Sequence, residues 1–141
     1  MAIVKHSSSK NARYEDVLEY YTCRHREDSR TGYYAPILDK YGLMQPRSDC
    51  AALYLTADGT AAAPERWASA CRRTNLCYSK NNKPSDRKSH EYILSHPAAG
   101  RDKLSMDDLV EEGRAFSKAF LQGYDCLIAV HRDTDNDHIY I

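Results

Sequence analysis

The chain has 141 residues, enough for one domain with a substantial core, and 42% of them are hydrophobic, an ordinary value for a globular protein. Twenty basic residues balance twenty acidic ones, so no global field draws the chain to nucleic acid or to a membrane. No apolar run approaches transmembrane length, and the five cysteines form no C-x-x-C pair. These features predict a cytoplasmic protein with reduced thiols and no membrane partner.

The first half of the chain predicts two strands, each followed by a helix. Residues 2–5 form a short strand, and residues 12–25 form a helix with an apolar stripe. Residues 50–56 predict a second strand, and residues 64–78 a helix with proline near its first turn. Between the two units, glycines and prolines interrupt residues 27–45, which carry no clear pattern.

The second half predicts a strand, a helix and a terminal hairpin. Residues 90–95 alternate as a strand, Ser105 caps a helix that runs to about residue 122, and residues 127–141 predict a β-hairpin. The order of elements indicates an α+β fold, with an antiparallel central sheet flanked by helices, in one domain over 1–141. Because the chain stops at Ile141 within an apolar alternation, we expect this domain to be truncated at its C-terminus.

The C-terminal hairpin carries a candidate metal site. Its first strand ends at His131, and its second carries His138 and Tyr140. Side chains alternate along a strand, so His138 and Tyr140 share one face, and His131 lies near them if the hairpin closes. With Asp133 and Asp135 in the turn, the two histidines could hold a divalent cation. The alternative is a surface hairpin with two solvated histidines.

Local basic clusters are candidates for contacts with nucleic acid in a chain of zero net charge. The alternative for each cluster is a solvated face, which is the more common role of such charges. Eleven tyrosines against two phenylalanines is a further bias, because tyrosine stacks on bases and supplies a phenol nucleophile. The basic candidates are Arg24, Arg26, Lys83, Arg87 and Lys88.

Three stretches of the sequence carry a family resemblance. Residues 1–20 begin Met-Ala-Ile-Val-Lys-His-Ser-Ser-Ser-Lys-Asn-Ala-Arg-Tyr and end Leu-Glu-Tyr, and residues 123–133 read Gly-Tyr-Asp-Cys-Leu-Ile-Ala-Val-His-Arg-Asp. Residues 89–95, Ser-His-Glu-Tyr-Ile-Leu-Ser, are a more generic match. In these stretches the chain resembles the N-terminal part of the relaxases, the mobilisation nucleases of conjugative plasmids and transposons. The resemblance implies an HUH-type fold.

The resemblance also implies an activity, the nicking of one DNA strand at an origin of transfer. A tyrosine attacks the scissile phosphate and keeps a 5′-phosphotyrosyl bond, helped by a divalent cation, Mg or Mn. Help is needed because a free phenol, with a pKa of about 10, is a weak nucleophile at neutral pH. Tyr20 matches the nucleophile best, Tyr21 second and Tyr14 third.

In this family three histidines hold the cation. His131 matches the first of them, and Asp133 matches the acid two residues later, which would orient a ligand. His138 matches the second histidine, whereas Tyr140 stands at the position of the third. A phenol is a poorer ligand than imidazole at neutral pH, so the third ligand is lost, lies beyond the last residue, or comes from another histidine. The histidines considered are His90 and His96.

The expected partners are single-stranded DNA at an origin of transfer and other proteins of a transfer complex. Two other functions stay open. The chain could be a catalytically inactive relaxase-like fragment that only binds DNA or a transfer partner. It could also be a small zinc module built on Cys71, Cys77 and a histidine, although their spacing is poor.

Overall fold

A computed structural model describes residues 3–27, 29–32 and 34–141. Its main feature is a six-stranded antiparallel sheet with helices on both faces, which confirms the predicted α+β class. The strands are β1 (Ile3–Ser9), β2 (His25–Glu27), β3 (Tyr34–Pro36), β4 (Cys50–Leu55), β5 (Ala61–Ala62), β6 (Ser89–His96), β7 (Cys126–His131) and β8 (Asp137–Tyr140). The helices are α1 (Tyr14–Thr22), α2 (Trp67–Cys77) and α3 (Met106–Phe120), with 3₁₀ turns at Pro64–Arg66 and Ala98–Lys103.

The predicted C-terminal hairpin lies in the middle of the sheet. The strand order is β1-β6-β8-β7-β4-β5, and all neighbours are antiparallel. Strands β2 and β3 pair with each other as a separate hairpin. All six residues of β7 are buried, as expected of a strand covered on both faces.

The alternation of side chains divides the core into two layers. On one face Leu127 and Ala129 pack with Trp67 and Tyr14 beneath α1 and α2, and we call this the α1 face. On the other face, β7, β8 and α3 form the second layer around Ile128. The capping box predicted for α3 is present, with Ser105 and Asp108 exchanging hydrogen bonds.

Two predicted boundaries at the N-terminal end are wrong. The strand predicted at 2–5 extends to Ser9, because its serines pair with β6 and this tertiary pairing outweighs their weak strand preference. The helix predicted to reach residue 25 ends at Thr22, since Cys23 is extended and forms a bridge with Pro46. Within the residues described, no helix is long and apolar enough to cross a membrane.

Gly113 allows the close approach of α3 to the sheet. A Cβ on this residue would lie 2.7 Å from Cγ2 of Ile128 and 3.1 Å from Cγ2 of Ile139, both on stiff β-branched side chains. We expect Gly113→Ala to lower the free energy of unfolding by about 2 kcal/mol, because overpacking of up to ~3 kcal/mol exceeds the ~1 kcal/mol gained in helix propensity. Urea denaturation measures the difference.

The control for Gly113→Ala is Ala115→Gly, an exposed position of the same helix. Ala115→Gly changes helix propensity without changing core packing, so we expect it to lower the free energy of unfolding by about 1 kcal/mol. An increase in stability for Gly113→Ala would contradict the close packing of α3 on β7 and β8.

Candidate active site

The two histidines of the hairpin face each other on the α1 face. His131 and His138 are register partners across β7 and β8. The ring of Tyr140 lies 4.8 Å from that of His131 and 6.0 Å from that of His138, between centroids. The sheet therefore brings together the three residues that the sequence proposed for the cation site.

The imidazole of His131 is buried and held in one orientation. His131 is 3% exposed, and its Nε2 donates a hydrogen bond to the carbonyl oxygen of Tyr21, at 2.7 Å. Burial lowers the pKa of His131 to about 4, and the nearby guanidinium of Arg47 acts in the same direction. The ring is therefore neutral at physiological pH, and Nδ1 keeps the lone pair that a ligand atom requires.

The depressed pKa of His131 predicts a loss of stability in acid. Between pH 6.5 and about 4 the unfolded chain binds more protons at this ring than the folded chain, so the free energy of unfolding falls as the pH falls through that window. Over the whole of this pH window, the free energy of unfolding falls by about 3 kcal/mol. Urea denaturation at pH 7 and at pH 4.5 measures it.

The matched variant is His131→Gln, which can still donate to the carbonyl of Tyr21 but does not titrate. We expect it to lose less stability than the wild type over the same pH interval. Parallel losses in the two proteins would show that His131 does not carry the effect.

Two neighbouring tyrosines at the end of α1, Tyr20 and Tyr21, differ in how they contact the two histidines and Tyr140. Tyr21 is 9% exposed, and its ring packs 4.9 Å from that of Tyr140 and 6.0 Å from that of His131. Tyr20 is 46% exposed and meets the ring of Tyr21 edge-on at 5.1 Å. Burial raises the pKa of Tyr140, and the phenol of Tyr20 acts in the same direction.

Tyr14, the third candidate nucleophile, lies at the other end of α1 and is 3% exposed. Its hydroxyl donates to the carbonyl oxygen of Lys88 at 3.1 Å and accepts from Nδ2 of Asn75 at 2.6 Å. Its ring packs edge-on against Trp67. These contacts describe a core tyrosine that joins α1 to α2 and to the loop before β6.

An arginine that the sequence did not single out lies beside the histidines. The guanidinium of Arg47 makes two hydrogen bonds to Asp49, at 3.2 and 3.0 Å, and one to Asp133, at 2.7 Å. Asp133 is thus held by Arg47 beside His131. The local sequence around Arg47 does not indicate its place in the site. Arg47 approaches His131 only because β4 pairs with β7 and sets Cys50 opposite His131.

Comparison with known proteins identifies the family of this chain. A family model described as "Relaxase: MobA/VirD2-like, nuclease domain" matches residues 45–141, more than two thirds of the chain. The chain belongs to the relaxase family. This confirms the resemblance seen in the sequence and makes the chain a member of a family of DNA-nicking nucleases. No curated protein and no solved structure matches it.

The matched range covers one part of the candidate site. It contains Arg47, His131, Asp133 and His138, but it begins after α1, which carries the candidate nucleophiles. The two histidines therefore lie inside the matched range, whereas Tyr20 lies outside it.

The donors of this relaxase fit a divalent cation in part. Over residues 3–27, 29–32 and 34–141, no group of three His, Cys, Asp or Glu side chains could hold a metal ion. Two imidazoles are in place, and Tyr140, whose pKa is raised by burial, stays a neutral phenol at physiological pH. A cation held by these two imidazoles would need waters or a substrate phosphate to complete its coordination.

The other donors considered from the sequence lie elsewhere. His96 points to the opposite face, where Nε2 lies 2.8 Å from Oε2 of Glu112. His90 hydrogen-bonds to His6 at 3.1 Å, also on that face. Burial raises the pKa of Cys71 to about 12, so it is a poor thiolate ligand.

The predicted DNA-binding residues flank α1 at its two ends. Arg24 and Arg26 follow its last turn, and Arg24 donates to Oε1 of Gln45 at 3.1 Å. Lys83 and Arg87 are exposed in the loop before β6. Lys88 differs from the others, since its ammonium is bound to the carbonyl oxygens of Asn81 and Lys83 and so fixes this loop.

Proposed function

We propose that this chain nicks one strand of DNA at an origin of transfer by tyrosine transesterification. Oη of Tyr20 attacks the scissile phosphate, a 5′-phosphotyrosyl bond forms, and the phosphate–O3′ bond breaks to leave a free 3′-hydroxyl. One phosphate ester replaces another, so the strand can later be rejoined. The observation that supports this is the place of Tyr20, whose ring packs on Tyr21, the residue that contacts Tyr140 and His131 on the α1 face.

Access favours Tyr20 over Tyr21 as the nucleophile. The phenol of Tyr20 is about half exposed, whereas Tyr21 is enclosed between Tyr20, His131 and Tyr140. A phosphodiester can reach an exposed phenol without displacing core side chains. Tyr21 then acts as the packing partner that holds α1 against the histidines.

The substrate has an open surface beside these residues. Across β8 and β6, the register places His138 beside Ser95 and Ile3, and Tyr140 beside Ile93 and Lys5. The two β1 residues of these rows are exposed. Among the residues described, the β1 edge of the sheet is therefore exposed beside the histidines, and we place a single strand of DNA there, with the basic residues at both ends of α1 near its phosphates.

His131 and His138 would hold the cation, Mg or Mn, with Asp133 and Arg47 beside them. When bound, the cation supplies Lewis-acid polarisation of a phosphate oxygen, worth several kcal/mol. The imidazole of His131 is neutral, so its Nδ1 is free of a proton, and the hydrogen bond from Nε2 to the carbonyl oxygen of Tyr21 fixes the ring. With two imidazoles from the protein, we expect DNA phosphate to complete the site.

The test of this function is a nicking assay on a labelled single strand that carries the origin of transfer of the element encoding the chain. We propose that the reaction takes place in the cytoplasm, alongside other transfer proteins. The expected products are a free 3′-hydroxyl fragment and a protein–DNA adduct that survives denaturing electrophoresis. Both should require Mg²⁺ or Mn²⁺ and disappear with chelator. Cleavage without an adduct would contradict the transesterification.

A second candidate function rests on Tyr140 at the place of the third histidine. A relaxase fold with only two imidazoles could be inactive and bind DNA or a transfer partner. Such a protein would bind the origin strand with equal affinity in chelator and in Mn²⁺, and it would never form an adduct. The nicking assay separates the two candidates directly.

A further inference from the structure

Residues 24–46, which we call the lobe, project from the end of α1. The hairpin of β2 and β3 forms one part of it, and the chain then turns back through residues 37–45. Arg24 joins the two parts, because its amide donates to the carbonyl of Gln45 at 2.8 Å and its carbonyl accepts from the amide of Ile37 at 2.9 Å. A bridge between Leu38 and Met44 closes the turn.

The tip of the lobe is held in one conformation by Asp39. Its carboxylate oxygen Oδ1 accepts from the amides of Tyr41 at 2.8 Å and Leu43 at 3.0 Å. Its carbonyl accepts from the amide of Gly42 at 3.1 Å, and Gly42 has a φ of +78°, which favours glycine. A tip ordered in advance loses little conformational entropy when it binds a ligand.

Large apolar side chains are exposed at this rigid tip. Tyr41 is 74% exposed and Leu43 64%, and Leu38 and Met44 beside them are 53% and 37% exposed. A cluster of this kind on a short turn indicates a contact surface rather than a core. Aromatic and aliphatic side chains of this type stack on bases or insert between them.

Cations accompany the apolar tip. The ammonium of Lys40 lies 4.9 Å from the centre of the Tyr41 ring, and Arg24 and Arg26 lie on the side of the lobe near α1. The lobe carries four basic and three acidic residues, a net charge of +1 (4 − 3), and the carboxylate of Asp39 is engaged by backbone amides. The surface therefore carries aromatic rings that can stack on bases and cations that can pair with phosphates.

The lobe is continuous with the candidate active site. Cys23 bridges Pro46, the amide of Arg47 donates to the carbonyl of Thr22 at 3.0 Å, and the rings of Tyr20 and His25 lie 5.8 Å apart. Tyr41 is four residues from Gln45, at most about 13 Å of extended chain. A single strand of a few nucleotides that runs from Tyr20 toward the lobe is long enough to reach the tip.

We propose that the lobe binds single-stranded DNA next to the scissile phosphate, with Tyr41 stacked on a base and Lys40 and Arg24 near the backbone. This inference rests on the proposed function, since it takes the strand at Tyr20 as its starting point. It does not follow from the family match, which begins at residue 45 and leaves the rest of the lobe uncovered. Tyr41 is thus a binding residue outside the matched region.

The test measures the binding of an oligothymidylate of 20 nucleotides that carries one 2-aminopurine. The 2-aminopurine is placed at successive positions in a series of probes, and all are measured at one low salt concentration. Anisotropy gives the affinity, and quenching of 2-aminopurine reports stacking. We expect Tyr41→Ala to weaken binding by about tenfold and to reduce the quenching of 2-aminopurine. Tyr41→Phe, which keeps the ring, should bind as the wild type does. The control is Tyr124→Ala, an equally exposed tyrosine outside the lobe, with a change of less than about twofold.

Equal binding by the wild type and Tyr41→Ala would overturn the lobe proposal and assign the apolar tip to another partner, such as a transfer protein. The proposed function fails separately, when the wild type binds DNA through Tyr41 but forms no adduct with the origin strand. If the wild type binds neither oligothymidylate nor the origin strand, both proposals fall.

Discussion

Replacing Tyr20 by phenylalanine is expected to abolish strand nicking and adduct formation while leaving the affinity for the origin strand unchanged. The substitution removes one oxygen from a half-exposed side chain and keeps the ring that packs on Tyr21. Loss of a catalytic nucleophile commonly costs four or more orders of magnitude in rate, so we expect a fall of about 10⁴-fold or more. Single-turnover cleavage of a labelled strand measures the rate.

Two matched variants make the Tyr20 experiment decisive. Tyr21→Phe keeps a ring in the enclosed position beside His131, and Tyr14→Phe removes a hydroxyl that bonds Lys88 and Asn75 far from the histidines. Each should change the nicking rate by less than about tenfold, a modest cost for altered packing or a lost hydrogen bond. An active Tyr20→Phe beside an inactive Tyr21→Phe would transfer the role of nucleophile to Tyr21.

Replacing Tyr140 by histidine is expected to strengthen cation binding by about 100-fold. The ring at this position lies 4.8 Å from that of His131 and 6.0 Å from that of His138, so a third imidazole would stand within reach of the other two. Loss of a group that merely supports a ligand costs 10- to 100-fold in affinity, and a new ligand should gain at least as much. Mn²⁺ calorimetry, with and without uncleavable single-stranded DNA, measures the gain.

The control for the added ligand is Tyr140→Phe, which keeps the aromatic packing against Tyr21 and adds no donor. We expect its Mn²⁺ affinity to equal that of the wild type. We also expect the wild type to bind Mn²⁺ more tightly when DNA is present, whereas Tyr140→His should depend less on DNA. Equal affinities for Tyr140→His and the wild type would show that the site is not built around His131 and His138.

Local signals predicted the central part of this fold. The hairpin of β7 and β8 follows from an apolar run, a turn rich in Asp and Asn, and an alternating return strand, all within 15 residues. The cap of α3 is equally local, because Ser105 and Asp108 need only each other. These elements could be located because neighbours along the chain determine them.

Elements that depend on distant partners were missed. Ser7, Ser8 and Ser9 form a strand only because β6 lies beside them, and nothing in their own chemistry favours it. Arg47 enters the site through the pairing of β4 with β7 and contacts Asp133, which is 86 residues away along the chain. The lobe had no periodic pattern to detect, since its geometry rests on turns and on the side chain of Asp39.

The measurement that tests the central claim most directly is the location of the covalent adduct. Trypsin cleaves after Arg13 and Arg24, so Tyr14, Tyr20 and Tyr21 fall in one peptide, residues 14–24. After reaction with the origin strand and digestion of the DNA, mass spectrometry should find a nucleotide phosphate on this peptide, and fragmentation should assign it to Tyr20. A nucleotide on Tyr14, on Tyr21 or on no tyrosine, in a protein that binds the strand and Mn²⁺, would contradict the proposed catalytic site.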